Sequence, residues 1–230
     1  AVGLLRHRRG LDSPLIGTTL RDEFHALIPH ELAATRADHV VLSAAQLGNL
    51  LSRPEELRAL HDLLRPYFDD IRVVAHLDEQ ARTLVAHYGF AVAESRRHPL
   101  TQELALAERD DWWHGALAQR ETAPDFGLFP EVQAPPFWLD YQALHAHWAA
   151  AFGAEKITFR PLDLPHLMSK SGATEITESL GLSTPLGPVD PGRALAALPA
   201  PWLTRMRQFN DVLIRYQQAH DLACPRSTWS

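Results

Sequence analysis

The stretch Asp69-Asp70-Ile71-Arg72-Val73-Val74-Ala75-His76-Leu77 decides the fold. Its β-branched run Ile71–Ala75 is short, apolar and closed by polar residues, the pattern of a strand buried on both faces. Two further runs have the same form: His39-Val40-Val41-Leu42-Ser43 and Lys156-Ile157-Thr158-Phe159-Arg160. Helical patterns precede each one, and strands alternating with helices favour a parallel sheet, because a parallel crossover needs a dozen or more residues. The expectation is α/β: an open, mainly parallel sheet with helices on both faces and a helical C-terminal part. Ligands of such sheets bind beyond the carboxyl ends of the strands. Those ends are Ser43 to Gln46, His76 to Glu79 and Arg160 to Asp163.

The helices follow from spacing and caps. Ser52-Arg53-Pro54-Glu55 has the form of a capping box, and Leu57, Leu60, Leu64 and Tyr67 recur behind it at helical spacing. Asp78 is placed to cap a helix that Gly89 stops near Tyr88. Tyr141, Leu144, Trp148 and Phe152 form a stripe ended by Gly153; Trp202, Met206, Phe209, Leu213 and Tyr216 form another. Both stripes read as core faces. Residues 122–136 hold four prolines and Gly127. They read as a long loop of the kind that serves as a lid or binding segment. Residues 183–191 are a second punctuated stretch, and residues 221–230 read as a tail. A single domain over residues 1–230 accommodates all of this.

Bulk composition excludes several function classes. The chain has 230 residues, 22 basic and 28 acidic, for a net charge of −6. Broad nucleic-acid binding needs clustered cations, and the one cluster, Arg6 to Arg9, reads as a solvated end. No apolar run reaches the roughly 20 residues of a membrane helix. The lone cysteine, Cys224, permits no intrachain disulfide, which fits a reducing, cytoplasmic setting.

Most chemical motifs are missing. There is no Gly-x-Ser-x-Gly elbow, no Gly-x-x-x-x-Gly-Lys phosphate loop and no His-Glu-x-x-His. No metal site is expected. The thirteen histidines include His145-x-His147, but helical positions two apart diverge by about 200°. Gly17-Thr18-Thr19 reads as a turn and helix cap. Lys170-Ser171-Gly172 offers a weak anion site at a helix start.

The order of these pieces resembles the bacterial sulfotransferases over residues 20–215. Asp38 to Ser43 is similar to the strand before their Leu-Ser-Ser-Glu segment, and Asp69 to Leu77 to the next strand, which ends Tyr-Leu-Arg-Arg-Gln. Gln80 matches that glutamine. Leu139-Asp140-Tyr141 through Trp148 to Gly153 is similar to their Asp-Tyr … Trp … Phe-Gly helix. Ile157 to Leu162 is similar to the Val-Arg-Pro-Phe strand, and Leu180-Gly181-Leu182 with the helix of Asn210 to the usual ending.

The resemblance implies a P-loop-type fold and transfer of a sulfuryl group from 3′-phosphoadenylyl sulfate to a carbohydrate or other hydroxyl acceptor. It implies Ser43, Arg82, Arg160 and Lys170 as the polar residues placed to hold the donor. It also puts the first strand, phosphate loop and helix upstream of residue 1. The arginine that in the family binds the donor's 3′-phosphate is replaced by Asp78, the next arginine by Glu79, the serine on that phosphate by Ala86, and the acid after the first strand by Ala45. Carboxylates repel a phosphate where arginine attracts it. Two alternatives stand beside an active transferase: a non-catalytic interaction domain of the same fold, and a glycosyltransferase with Asp78-Glu79 on a divalent ion.

Overall fold

A computed structural model describes residues 14–35, 37–119, 123, 126–169, 171–183 and 199–222. The molecule is α/β and mostly helical, around one parallel pair of strands. In chain order, helices α1 (Pro14–Ala34), α2 (Ala45–Leu50) and α3 (Pro54–Leu64) precede strand β1 (Val73–Leu77). Helices α4 (Gln80–Ala93), α5 (Thr101–Ala107), α6 (Trp112–Ala118), α7 (Pro130–Gln133) and α8 (Tyr141–Phe152) form the crossover to β2 (Ile157–Pro161). Helices α9 (Leu164–Leu167), α10 (Gly172–Leu180) and α11 (Ala200–Ala219) follow. Val73 pairs with Ile157, His76 with Arg160 and Leu77 with Pro161, and Leu162 N–H donates to the Leu77 carbonyl at 2.8 Å.

The second and third expected strands are therefore present, each displaced toward its carboxyl end, and they are parallel. The first is not. Residues 39–43 form no strand, and Val40, Val41 and Leu42 are exposed. A strand persists only against a neighbour's ladder, and among the described residues β1 and β2 pair with each other alone. A β-branched run signals a capacity for pairing, not the partner.

Helix boundaries follow local chemistry. At α3 the cap shifts by one residue: Glu56, rather than Glu55, accepts the Ser52 and Arg53 amides, each at 3.0 Å. Leu57 and Leu64 on this helix are buried. Helix α4 is capped by Glu79 rather than Asp78 and runs through Gly89 to Ala93. Gly89 does not end it; the residue lies mid-helix, with Leu203 of α11 opposite it. Asp140 caps α8 by accepting the Ala143 amide at 2.9 Å, and Gly153 ends that helix with φ of 91°, as expected. Gly17-Thr18-Thr19 lies inside α1 instead of forming a turn.

The core gathers Leu57, Trp113, Phe137, Leu144, Trp148 and Ile157 from α3, α6, the 3-10 turn Phe137–Leu139, α8 and β2. The segment expected as a lid is largely buried instead. Leu128, Phe129, Val132, Gln133 and Ala134 are buried, and α7 forms within the stretch. Its aromatic and branched residues gain more from burial than a mobile loop would allow. Residues 122, 124 and 125 lie outside the described residues, as do 184–191 and most of the tail.

A second, polar hub surrounds the turn after α4, where Ser95 has φ of 78°. The buried Arg96 guanidinium pairs with Glu103 and donates to the carbonyls of His98 and Ala134. Gln133 accepts the Arg97 amide and donates to the Ser95 carbonyl. Asn210 of α11 donates to the carbonyls of Val92 and Arg96 at 2.9 and 3.0 Å. One irregular turn thus holds α4, α5, α7 and α11 together.

Candidate functional site

The two strands end side by side, and register decides what meets there. His76 and Arg160 are direct partners across the ladder. Both reach Glu175 of α10: Arg160 donates from Nε to Oε1 at 2.7 Å and from Nη2 to Oε2 at 3.0 Å, and His76 Nε2 lies 3.2 Å from Oε1. The bidentate Arg160 bond, and the His76 contact after it, bring the Glu175 carboxyl down to about 2. The same bond raises Arg160 above the usual guanidinium range.

The end of β1 is closed by its own carboxylates. Asp78 Oδ1 accepts from Arg82 Nη1 at 3.0 Å and from the Glu79 amide at 2.8 Å. Glu79 accepts the amides of Ala81 and Arg82 at 2.9 and 2.8 Å, which lowers its carboxyl below the ordinary range. These are the free N–H groups that a helix start offers to a phosphate. Tyr141 Oη donates to the Asp78 carbonyl at 2.8 Å and fixes the turn, while Gln80 Nε2 donates to the Leu139 carbonyl at 2.9 Å.

The expected donor-binding residues are thus dispersed. Arg160 is engaged by Glu175. Arg82, with its side chain 72 % exposed, leans on Asp78. Ser43 is exposed in the segment before α2. Lys170 lies outside the described residues; next to it, α10 begins at Gly172, where a Cβ would fall 2.1 Å from the Leu167 carbonyl oxygen. That close approach puts a carbonyl acceptor at the place read as an anion site. His145 packs edge-on to Phe159, whereas His147 contacts Trp113 and the Leu51 carbonyl, so the two diverge as expected. Among the described residues no three His, Cys, Asp or Glu side chains converge to hold a metal ion.

Sequence reasoning missed His76 and Glu175. The signal for His76 was its place opposite Arg160 in a parallel pair, which the two strand motifs imply once aligned. Glu175 carried no signal.

It also missed a cavity of about 310 Å³ between α2, α4 and the 130–138 segment. Asn49, His87, Pro135, Pro136, Phe137 and Trp138 line it. His87 meets Trp138 edge-to-face at 5.5 Å. Burial, with the Arg96 charge beside it, pushes His87 down to about 4, so the ring is neutral at pH 7. Asn49 Oδ1 and His87 Nδ1 are buried and have no hydrogen-bond partner among the described residues. A second concavity, between residues 97–99 and α11, is lined by Arg97, His98, Arg207, Asp211 and Arg215. There Arg215 pairs with Asp211, and Arg207 donates to the Arg97 carbonyl.

No family model, curated protein or solved structure matches the chain.

Proposed function

We propose that this chain is a non-catalytic, sulfotransferase-like binding domain, in which the donor-binding end of the strands has become an internal salt-bridge cluster. One observation carries the reading: among the described residues, the two arginines at the strand ends, Arg82 and Arg160, and the first free amides of α4 already meet carboxylates of the chain. Glu79 occupies the first amides of α4, Asp78 engages Arg82, and Glu175 engages Arg160 through both oxygens. A doubly charged phosphate entering here would have to displace three carboxylates and then lie beside them. The parallel pairing of the two motif-bearing strands supports the sulfotransferase-like part of the reading. Transfer from 3′-phosphoadenylyl sulfate to a hydroxyl acceptor requires positioned cations at the reacting group, and among the described residues both arginines of this cluster are engaged by carboxylates.

Calorimetric titration with 3′-phosphoadenosine 5′-phosphate tests the reading. Binding weaker than about 1 mM is expected. Submillimolar binding that Arg160→Gln abolishes would overturn it and restore the active-transferase alternative.

A further inference from the structure

Helix α11 has two faces, and the fold uses one of them. Leu203, opposite Gly89 of α4, and the buried Asn210 and Ile214 form the inward face. Trp202, Phe209 and Leu213 each precede one of these residues, so they lie about 100° around the helix. With Met206, Tyr216 and His220 they make a run spaced 4-3-4-3-4, the alternation of a helix-pairing seam. The seam holds no Asp, Glu, Lys or Arg, and the Tyr216 and His220 rings meet at 4.4 Å at its end. Trp202, Phe209, Leu213 and Tyr216, with Val212 on the flank, are 43–66 % exposed, so the described residues leave this face open. At such exposures the five side chains present roughly 500 Å², and contiguous apolar faces of that size mark interaction sites.

We propose that α11 is a self-association helix, on which the same helix of a second copy docks antiparallel along Trp202, Met206, Phe209, Leu213 and Tyr216. This stands whether or not the reading of the strand ends holds. A two-fold axis at the level of residue 211 sets Phe209 against the partner's Leu213 and Tyr216 against the partner's Met206, so each ring meets a slimmer side chain. Parallel pairing would instead crowd Trp202, Phe209 and Tyr216 each against its own copy and leave the Met206 and Leu213 layers thin. Area sets the strength. Two such faces remove roughly 1,000 Å² from water in all, at the lower limit of specific interfaces, so the pair is a transient one. Charge selects a second copy over a lipid surface. Arg205 alone borders the seam, and the chain carries a net −6, which an anionic membrane repels.

Sedimentation equilibrium of the full chain, from about 1 µM to about 500 µM, tests this. The average mass should climb from one chain toward two, with a dissociation constant on the order of 10–100 µM. Phe209→Ser should raise that constant at least about tenfold. Leu27→Ser, which removes an exposed leucine of α1, should leave it unchanged. At about 1 µM, where the chain is single, Phe209→Ser should keep the parent's melting temperature, which separates lost pairing from lost folding. The concentration series is read on the unmodified chain and needs no variant. A chain that stays single at about 500 µM would overturn the proposal. Pairing that Leu27→Ser weakens as much as Phe209→Ser does would also overturn it, by moving the contact off α11. So would flotation of the single chain with phosphatidylcholine–phosphatidylserine vesicles, lost in Phe209→Ser, which would give the seam to a membrane surface.

Discussion

Glu175 shows how one carboxylate sets the character of the strand ends. Its carboxyl lies near 2 in the folded chain against an ordinary 4.5. The native state therefore binds fewer protons than the unfolded state between those values. The stability from this group is fully present above pH 4.5 and is lost as the pH falls through about 2. Glu175→Gln should flatten the fall in melting temperature across that window and leave its slope near pH 7 unchanged; an unaltered acid limb would place the lost stability elsewhere. The contrasting residue pair is Arg96 and Glu103, both fully buried. Their burial disfavours both charges, lowering Arg96 and raising Glu103, while each partner opposes the shift. Removing one partner strands the other charge. Arg96→Met is expected to cost about 3–5 kcal/mol by urea denaturation, whereas Arg96→Met with Glu103→Leu should recover much of that loss.

At the scale of the element, α11 separates what spacing can and cannot say. Its apolar stripe marked a helix correctly and a core face wrongly. Phe209 is 64 % and Tyr216 55 % exposed, and Trp202 and Leu213 also lie on the outside. The inward face is instead Asn210 and Ile214, one polar and one apolar. Asn210 replaces hydrophobic contact by two hydrogen bonds to the irregular turn after α4, which no amphipathic pattern encodes. Asn210→Ala should therefore destabilise by about 1–3 kcal/mol, and Ile214→Ala by about 2–5 kcal/mol. Phe209→Ser should change stability by less than about 0.5 kcal/mol, all three read from urea midpoints. A large loss at Phe209 would mean that the stripe is covered after all. Helix α8, by contrast, was legible in its inward stripe, with Leu144 and Trp148, and in the glycine that ends it, although its Asp140 cap was not read. The strand ends were legible as a location, because strand direction and order are local patterns. Their chemistry was not, since Glu175 arrives from a helix whose docking depends on the whole fold. The cavity was invisible for the same reason, being assembled from α2, α4 and a segment read as a loop.

For the whole molecule, the question is which parts form one cooperative body. The apolar core draws on residues from Leu51 to Ile157, with β1 and β2 closing the long crossover between them. Beyond residue 21, helix α1 contributes nothing to that cluster; almost every position there is exposed, including Phe24 and Leu27, and the helix carries Pro29 in its interior. Proline removes a helical hydrogen bond and clashes with the preceding turn. A helix without tertiary burial has only its own marginal propensity to hold it. Helix α11 is intermediate, tied to α4 by Asn210 and burying Ile214 but open on its other side. Amide hydrogen exchange should rank accordingly: slowest in β1, β2, α3 and α8, faster in α11, and within about a kcal/mol of unprotected in α1. The ranking follows from where apolar area is removed from water, not from helix length, since α1 and α11 are the two longest described helices. Protection in α1 equal to that in α8 would mean that a surface covers α1 in solution, and that the core extends beyond the residues named above.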